Sequence, residues 1–227
     1  MLGRVPIAFV AGFLSVLAPC VLPLVPGYLS AVSAVDAGTL GERGVALRPR
    51  DAAIRLPPRS PFVGCIPPPG IRAPDFNLHD YHGATVTMRK LRGRVVVLSF
   101  VDTKCTEKCP IVTSVIALAL RRLSARERVE VVPLLITVSP RVDTRASVKR
   151  FLIARRALSV DYLIGSAHEL RLVWKAYGIL PAVDTGNPDI HSSDVRIFNR
   201  HGVWMSTQHA GVDLTPQNLV HDIREAL

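Results

Sequence analysis

Apolar and polar positions along the chain divide it into three stretches of different character. After a single Arg4, the first is almost uncharged and reads IAFVAGFLSVLAPCVLPLVPGYLSAVSAV from Ile7 to Val35, long enough to cross about 30 Å of hydrocarbon. Residues 1–35 are therefore expected to form a membrane anchor or a signal-like segment, with Val32-Ser33-Ala34 offering small residues at a cleavage-like position. Pro19, Pro23 and Pro26 interrupt it, and each removes a backbone donor that lipid does not replace. Residues 36–72 intersperse Arg43, Arg48, Arg50, Arg55, Arg59 and Arg72 with Pro49, Pro57, Pro58, Pro61 and Pro67 to Pro69. That composition predicts an extended linker.

From Ala73 onward the pattern changes to alternating strand and helix, and residues 73–227 are expected to form one domain. Phe76 to Leu78 and Thr85 to Met88 flank Asp80-Tyr81-His82-Gly83, a hairpin with glycine where the turn needs it. Val95 to Phe100 and Val129 to Val138 are continuous apolar runs suited to strands buried on both faces. Helical spacing follows over residues 110–123, opening on a proline favoured at a first helical position, and again over Ala146 to Leu158 and Ser166 to Tyr177. Val195 to Phe198 and Val203 to Ser206 enclose the turn Asn199-Arg200-His201-Gly202, and Thr215-Pro216 starts a last helix. The order β-β-β-α-β-α-α-β-β-α predicts an α/β fold, a central sheet with helices on its faces. Trp174 and Tyr177 share a helical face and are expected in the core.

Composition narrows the class of protein. The 227 residues are 48% hydrophobic and 20% charged, which excludes disorder, collagen-like repeats and coiled coil. Twenty-eight basic against eighteen acidic side chains give a net charge of +10, which by itself admits nucleic acid or an anionic membrane as partner. The basic residues are nearly all arginine and scattered, without a basic helix or an aromatic RNA-binding motif, so nucleic acid is not expected. Four cysteines are too few for a disulfide-stapled fold, and their placement carries the argument.

Cys105-Thr106-Glu107-Lys108-Cys109-Pro110 lies directly between the Val95 to Phe100 strand and the helix that follows. Unpaired N–H groups and the positive dipole end at a helix start stabilise a thiolate, and Lys104 or Lys108 would act in the same direction. Residues four apart share a helical face, so the two sulfurs either close a disulfide or grip one metal ion. Paired thiolates favour Cu(I) or Zn(II) and leave room for a further donor. Among seven histidines, His201 and His221 are expected to face solvent, and His79 and His82 flank a turn as a weak surface pair. His191 lies on a loop entering the sheet, where ligands converge in α/β folds. Spacing alone does not choose it over His209. Asp143 reads most simply as the N-cap of the Ala146 helix.

Three segments together resemble the Sco/SenC family of thioredoxin-fold copper proteins. They are Ala73-Pro74-Asp75-Phe76-Asn77-Leu78, Leu91-Arg92-Gly93-Arg94 with the strand to Phe100, and Thr103-Lys104-Cys105 through Cys109-Pro110. Asp143-Thr144 and His191-Ser192 fall where that family has its loop acid and its histidine. The resemblance runs from about Phe62 to the C-terminus and implies a thioredoxin-like domain in which Cys105, Cys109 and His191 bind copper. Three ligands suit Cu(I), and Cu(II) once a fourth donor joins. It further implies a membrane-attached protein of the bacterial cytoplasmic membrane with this domain on the extracytoplasmic, periplasmic side. There it would assist assembly of the copper centre of cytochrome c oxidase by delivering copper, reducing the target's cysteines, or both. The arginines after residue 35 act against that orientation by the positive-inside rule.

The chain departs from the family's pattern at named places. Asp102 stands where an aromatic residue is usual and Thr106 where proline is frequent. The loop usually reading Asp-Pro-x-x-Asp-Thr is here Ser139-Pro140-Arg141-Val142-Asp143-Thr144, one acid short. Separately, Ala18 to Tyr28 resembles the first membrane span of the CcdA/DsbD family, with Cys20 at its redox cysteine. The further spans of that family have no counterpart after residue 40, so its function is not carried over. Phe62-Val63-Gly64-Cys65 faintly resembles a lipoprotein acceptor without the apolar run such a site needs. The leading expectation is a copper metallochaperone that binds and transfers rather than turns over. The competing class is a thiol-disulfide oxidoreductase in which Cys105, at the exposed helix edge, attacks and Cys109 resolves. A peroxidase of the peroxiredoxin type is a weaker third.

Overall fold

A computed structural model describes residues 60–227. The expected anchor, Cys20 and most of the expected linker lie outside the described residues. Among the described residues no helix is long and apolar enough to cross a membrane.

Seven strands form one sheet: β1 (Asn77–Asp80), β2 (Thr85–Thr87), β3 (Val95–Val101), β4 (Val131–Thr137), β5 (Asp161–Ile164), β6 (Val195–Phe198) and β7 (Trp204–Gln208). Their order is β2-β1-β5-β4-β3-β6-β7. The central strands β3, β4 and β5 run parallel, and the outer pairs are antiparallel. The described helices are α1 (Lys108–Arg122), α2 (Ala125–Val129), α3 (Arg145–Ala154), α4 (Ala167–Tyr177), α5 (Ala182–Thr185) and α6 (Pro216–Ala226). A 3-10 turn covers Met88–Leu91.

Alternation along β3 builds two cores, because successive side chains leave a strand on opposite faces. Val95, Val97 and Val101 pack with Val112 and Ile116 of α1, Phe151 of α3 and Leu219 and Ile223 of α6. Val96, Leu98 and Phe100 pack on the other face with Leu170, Trp174 and Tyr177 of α4. Every residue of β3 and β4 is buried, as the continuous apolar runs predict for parallel strands covered on both sides. The architecture is the α/β sheet that the sequence pattern and the resemblance led one to expect, and Trp174 and Tyr177 lie in the core.

Elements β5 and α2 are absent from the sequence reading, and α3 differs in its end and its cap. β5 is four residues long and opens on an exposed aspartate, so its signal merges with the connection between helices, yet it joins β4 to β1. Val129 ends α2 rather than starting β4, because Ser124 and Glu127 make a reciprocal capping box that nucleates a short helix first. The helix around Ala146 ends at Ala154, and Thr144, not Asp143, caps it by accepting from the Ser147 N–H. Asp143 is 3% exposed, which corrects the expected N-cap.

Residues 60–72, read from composition as linker, lie along β7. Cys65 exchanges backbone hydrogen bonds with Thr207 at 2.8 Å, and Arg72 bridges Val203. Asp222 of α6 accepts from the N–H groups of Val63 and Gly64 at 2.7 and 3.0 Å, and from Ser206 Oγ and Gln208 Nε2. A Cβ built on Gly64 would meet Ser206 Oγ at 2.3 Å, so only glycine lets the strap lie this close.

Candidate metal centre

The cysteine motif sits where β3 ends, at the carboxyl edge of the parallel strands, the usual convergence point of an α/β sheet. Cys105 precedes α1 and Cys109 is its second residue, so the two are not one helical turn apart on a shared face as their spacing suggested. A turn joins them: the Cys105 N–H donates to the Asp102 carbonyl at 3.3 Å, and the Cys109 N–H donates to Cys105 Sγ at 3.4 Å. The sulfur thereby takes one of the orphan donors at the helix start.

His191 reaches the same edge because β6 runs antiparallel beside β3, with Val195 opposite Ser99. The loop before β6 is pinned from both sides. The Ser192 N–H donates to the Leu180 carbonyl at 3.0 Å, and Ser192 Oγ accepts from the Leu180 N–H at 3.1 Å. His191 Nδ1 lies 2.8 Å from the Ser192 carbonyl. A carbonyl only accepts, so Nδ1 carries the proton, and in the neutral ring Nε2 is the lone-pair nitrogen. Nε2 lies 3.1 Å from Cys109 Sγ. The two sulfurs and the imidazole nitrogen all lie within 4.8 Å of one another, a grouping that is able to hold a metal ion. These soft and borderline donors suit Cu(I).

Electrostatics separates the two thiols. The Cys105 thiol is lowered to about 5, first because the Cys109 thiol donates to it, with His191 and the Cys109 N–H helping and burial opposing. Cys109 is pushed up for the complementary reason, its hydrogen bond to Cys105, and then by burial. At neutral pH the pair is one thiolate and one thiol. Burial disfavours the charged form of His191, but Cys105 and the Ser192 carbonyl outweigh it, and the net shift is upward. Lys104 and Lys108, expected to stabilise the thiolate, are not among the causes of the Cys105 shift. Cys105 is 2% exposed, so the expected exposed attacking sulfur is instead sheltered.

Two carboxylates that the sequence did not single out, or misplaced, hold this geometry. Asp189 accepts from the N–H groups of Thr106 and Glu107 at 2.7 and 3.2 Å and from Thr106 Oγ1, tying the histidine loop to the cysteine loop. These hydrogen bonds, with the Thr106 N–H first, lower the Asp189 carboxyl. Asp143 accepts from the Thr103 N–H, Thr103 Oγ1, Thr137 Oγ1 and Tyr162 Oη, binding the loop before Cys105 to β4 and β5. The only signal for Asp189 was its place two residues before His191.

The other candidates fall elsewhere. His209 groups with Cys65 and Asp213, but Cys65 is disulfide-bonded and offers no thiolate there. His79 and His82 are exposed and join no metal-binding group among the described residues. His221 Nε2 contacts the Pro61 carbonyl at 2.7 Å.

The SCO1/SenC family matches residues 68–227. A SCO2-like protein of Rickettsia typhi is 24% identical over 155 residues, 66% of this chain and 74% of that protein. Bradyrhizobium japonicum ScoI, solved with copper bound, is 25% identical with a TM-score of 0.59, covering 69% of this chain and all of that one. BsSco, a member of the Sco family of cytochrome c oxidase assembly proteins in which a disulfide switch was identified, superposes with a TM-score of 0.58 at 21% identity, covering 68% of this chain and 92% of that one.

Proposed function

Since the chain belongs to the SCO1/SenC family, we propose that it is a copper metallochaperone whose cargo is held by Cys105, Cys109 and His191. The observation that carries this reading is the meeting of both sulfurs and His191 Nε2 within 4.8 Å, from elements 82 residues apart in sequence. The Ser192 carbonyl fixes the ring with its lone pair toward the sulfurs, as a ligating histidine needs. Hydrogen bonds favour the Cys105 thiolate, so the protons that metal binding displaces are chiefly those of Cys109 and of the His191 ring where it is charged.

Copper transfer then proceeds by ligand exchange, with a partner's thiolates replacing these donors one at a time. The recipient in this reading is the copper-bearing subunit of cytochrome c oxidase. The domain works outside the cytoplasm, tethered by residues 1–35, and fractionation of a tagged full chain with protease accessibility checks that placement. A thiol-disulfide exchange reading is favoured by one observation, the low Cys105 thiol beside a protonated Cys109. His191 also stabilises that thiolate, so a His191 variant perturbs both activities but unequally.

Anaerobic titration of the reduced protein with Cu(I) separates the readings. The expected result is one Cu(I) per chain, with affinity falling at least about a hundredfold in Cys105→Ser and Cys109→Ser, since each removes a thiolate donor. His191→Ala should weaken Cu(I) binding about tenfold or more while changing the rate of exchange with a small disulfide less than about threefold. Wild-type affinity in His191→Ala overturns the three-ligand site.

A further inference from the structure

Two of the chain's departures from the family's motif touch in the fold. Asp102 stands where an aromatic residue is usual and Ser139 where an acid is usual. Ser139 Oγ donates to Asp102 Oδ2 at 2.5 Å. Oδ1 accepts from the Lys104 N–H at 2.7 Å, so both carboxylate oxygens are fixed. Asp102 is 1% exposed and Ser139 7%. The backbone N–H of Asp102 points at Cys109 Sγ, 3.4 Å away. The frame continues through the Ser139 N–H to Thr137 Oγ1, which in turn donates to Asp143. The acid missing from the β4 loop thus recurs as a carboxylate on the cysteine loop, closer along the chain to the sulfurs.

A fixed, buried carboxylate on the residue whose N–H meets Cys109 Sγ acts differently on the states of the pair. A disulfide is neutral, whereas two thiolates around Cu(I) with a neutral imidazole carry a net negative charge. In a low-dielectric setting the repulsion is far stronger than in water. Lys104, Arg141 and Arg171 line a cleft of about 450 Å³ together with Asp102 and Ser139, but these cations are exposed and screened by salt. We propose that Asp102, held by Ser139, is a positioning residue that biases the Cys105/Cys109 pair toward its disulfide, so that cargo and electrons leave the site more readily. This rests on the pair being the working site of the proposed function, but its test needs no copper.

The test is an equilibrium of the full-length protein with glutathione at neutral pH under anaerobic conditions. The Cys105 Sγ–Cys109 Sγ bond breaks, two glutathione thiols supply the electron pair and join as glutathione disulfide, and of their two protons one goes to Cys109 Sγ and the other to solvent, Cys105 Sγ leaving as the thiolate that the Cys109 N–H meets. The oxidised fraction is read by differential alkylation and the mass of the peptide carrying both cysteines. Asp102→Asn should move the equilibrium about tenfold toward the dithiol, about 30 mV for this two-electron couple. Ser139→Ala leaves the charge but removes the hydroxyl that partly neutralises it, and should move the equilibrium about two- to threefold the other way. The exchange Asp102→Ser with Ser139→Asp returns a carboxylate from the opposite loop and should restore the wild-type value within about twofold.

A purely structural role for Asp102 predicts shifts of the same sign in both single variants and no rescue, and that pattern overturns the proposal. So does an equilibrium in folded Asp102→Asn within about twofold of wild type. Should Asp102→Asn fail to fold, Ser139→Ala decides: a shift toward the disulfide supports the proposal, and no shift or a shift toward the dithiol overturns it. Copper stoichiometry of the wild type, measured in parallel, reports separately on the three-ligand reading.

Discussion

Asp143 and Asp222 are two buried carboxylates built alike and put to different uses. Each accepts four hydrogen bonds, Asp143 from one backbone N–H and three hydroxyls, Asp222 from two backbone N–H groups, a hydroxyl and an amide. Burying a carboxylate is costly unless its lone pairs are met this fully. Asp143 gathers Thr103 on the cysteine loop with Thr137 of β4 and Tyr162 of β5, beneath the candidate centre. Asp222 gathers β7 with Val63 and Gly64 of the strap that leads in from the N-terminal residues. One acid holds the chemistry in shape, and the other holds the strap of residues 60–72 against the sheet edge. The same device therefore separates two requirements, a rigid site and a covered edge strand.

Breaking each device should separate the two roles. Asp143→Ala strands three hydroxyls and an N–H and should cost about 3 to 5 kcal/mol of stability, together with about a tenfold loss of Cu(I) affinity as the loop before Cys105 loosens. Thermal melts and copper competition check both. Asp222→Ala should cost about 3 kcal/mol by the same desolvation argument, yet leave Cu(I) affinity within about twofold, since its hydrogen bonds go to Val63, Gly64, Ser206 and Gln208 and not to Cys105, Cys109 or His191. Equal losses of affinity in the two variants would remove the distinction.

Asp189 sharpens the contrast, because it is half-buried and ties the histidine loop to the cysteine loop. Asp189→Ala should leave the thermal melt nearly unchanged, as expected for hydrogen bonds at a helix start near the surface, while lowering Cu(I) affinity about threefold by freeing the histidine loop. A loss of stability comparable to that of Asp143→Ala would make it a structural acid.

A pH dependence follows from the thiol pair itself. Cys105 is lowered from 9.0 to about 5, so the stability its ionisation contributes is fully present above pH about 9. It declines as pH falls and is gone below about 5. The raised Cys109 thiol works in the opposite sense above the ordinary thiol range. Thiolate absorbance of the reduced protein should titrate with a midpoint near 5, and His191→Ala should move it upward. A midpoint in the ordinary thiol range would remove the one-thiolate, one-thiol description.

Much of the fold was legible from pattern alone. Strands buried on both faces announce themselves as the apolar runs Val95 to Phe100 and Val129 to Val138, the second of which begins at Val131 in the fold, and α4 and α6 by helical spacing from Ser166 and by the Thr215 cap. The resemblance supplied the grouping of Cys105, Cys109 and His191, which spacing left open between His191 and His209. Short elements stayed hidden because four or five residues carry too few apolar positions to show a period, as in β5, α2 and α5.

Sequence by itself determined the local chemistry: which long strands are buried, where the longer helices lie, and that two thiols stand at the end of one strand. Tertiary structure alone decided which groups those thiols meet. The antiparallel register of β6 on β3 delivers His191, and the loop after β4 presents Ser139 to Asp102 and Asp143 to Thr103. Such meetings depend on strand order and register, which are settled by burying apolar faces across the whole sheet. No short stretch of sequence encodes that sum.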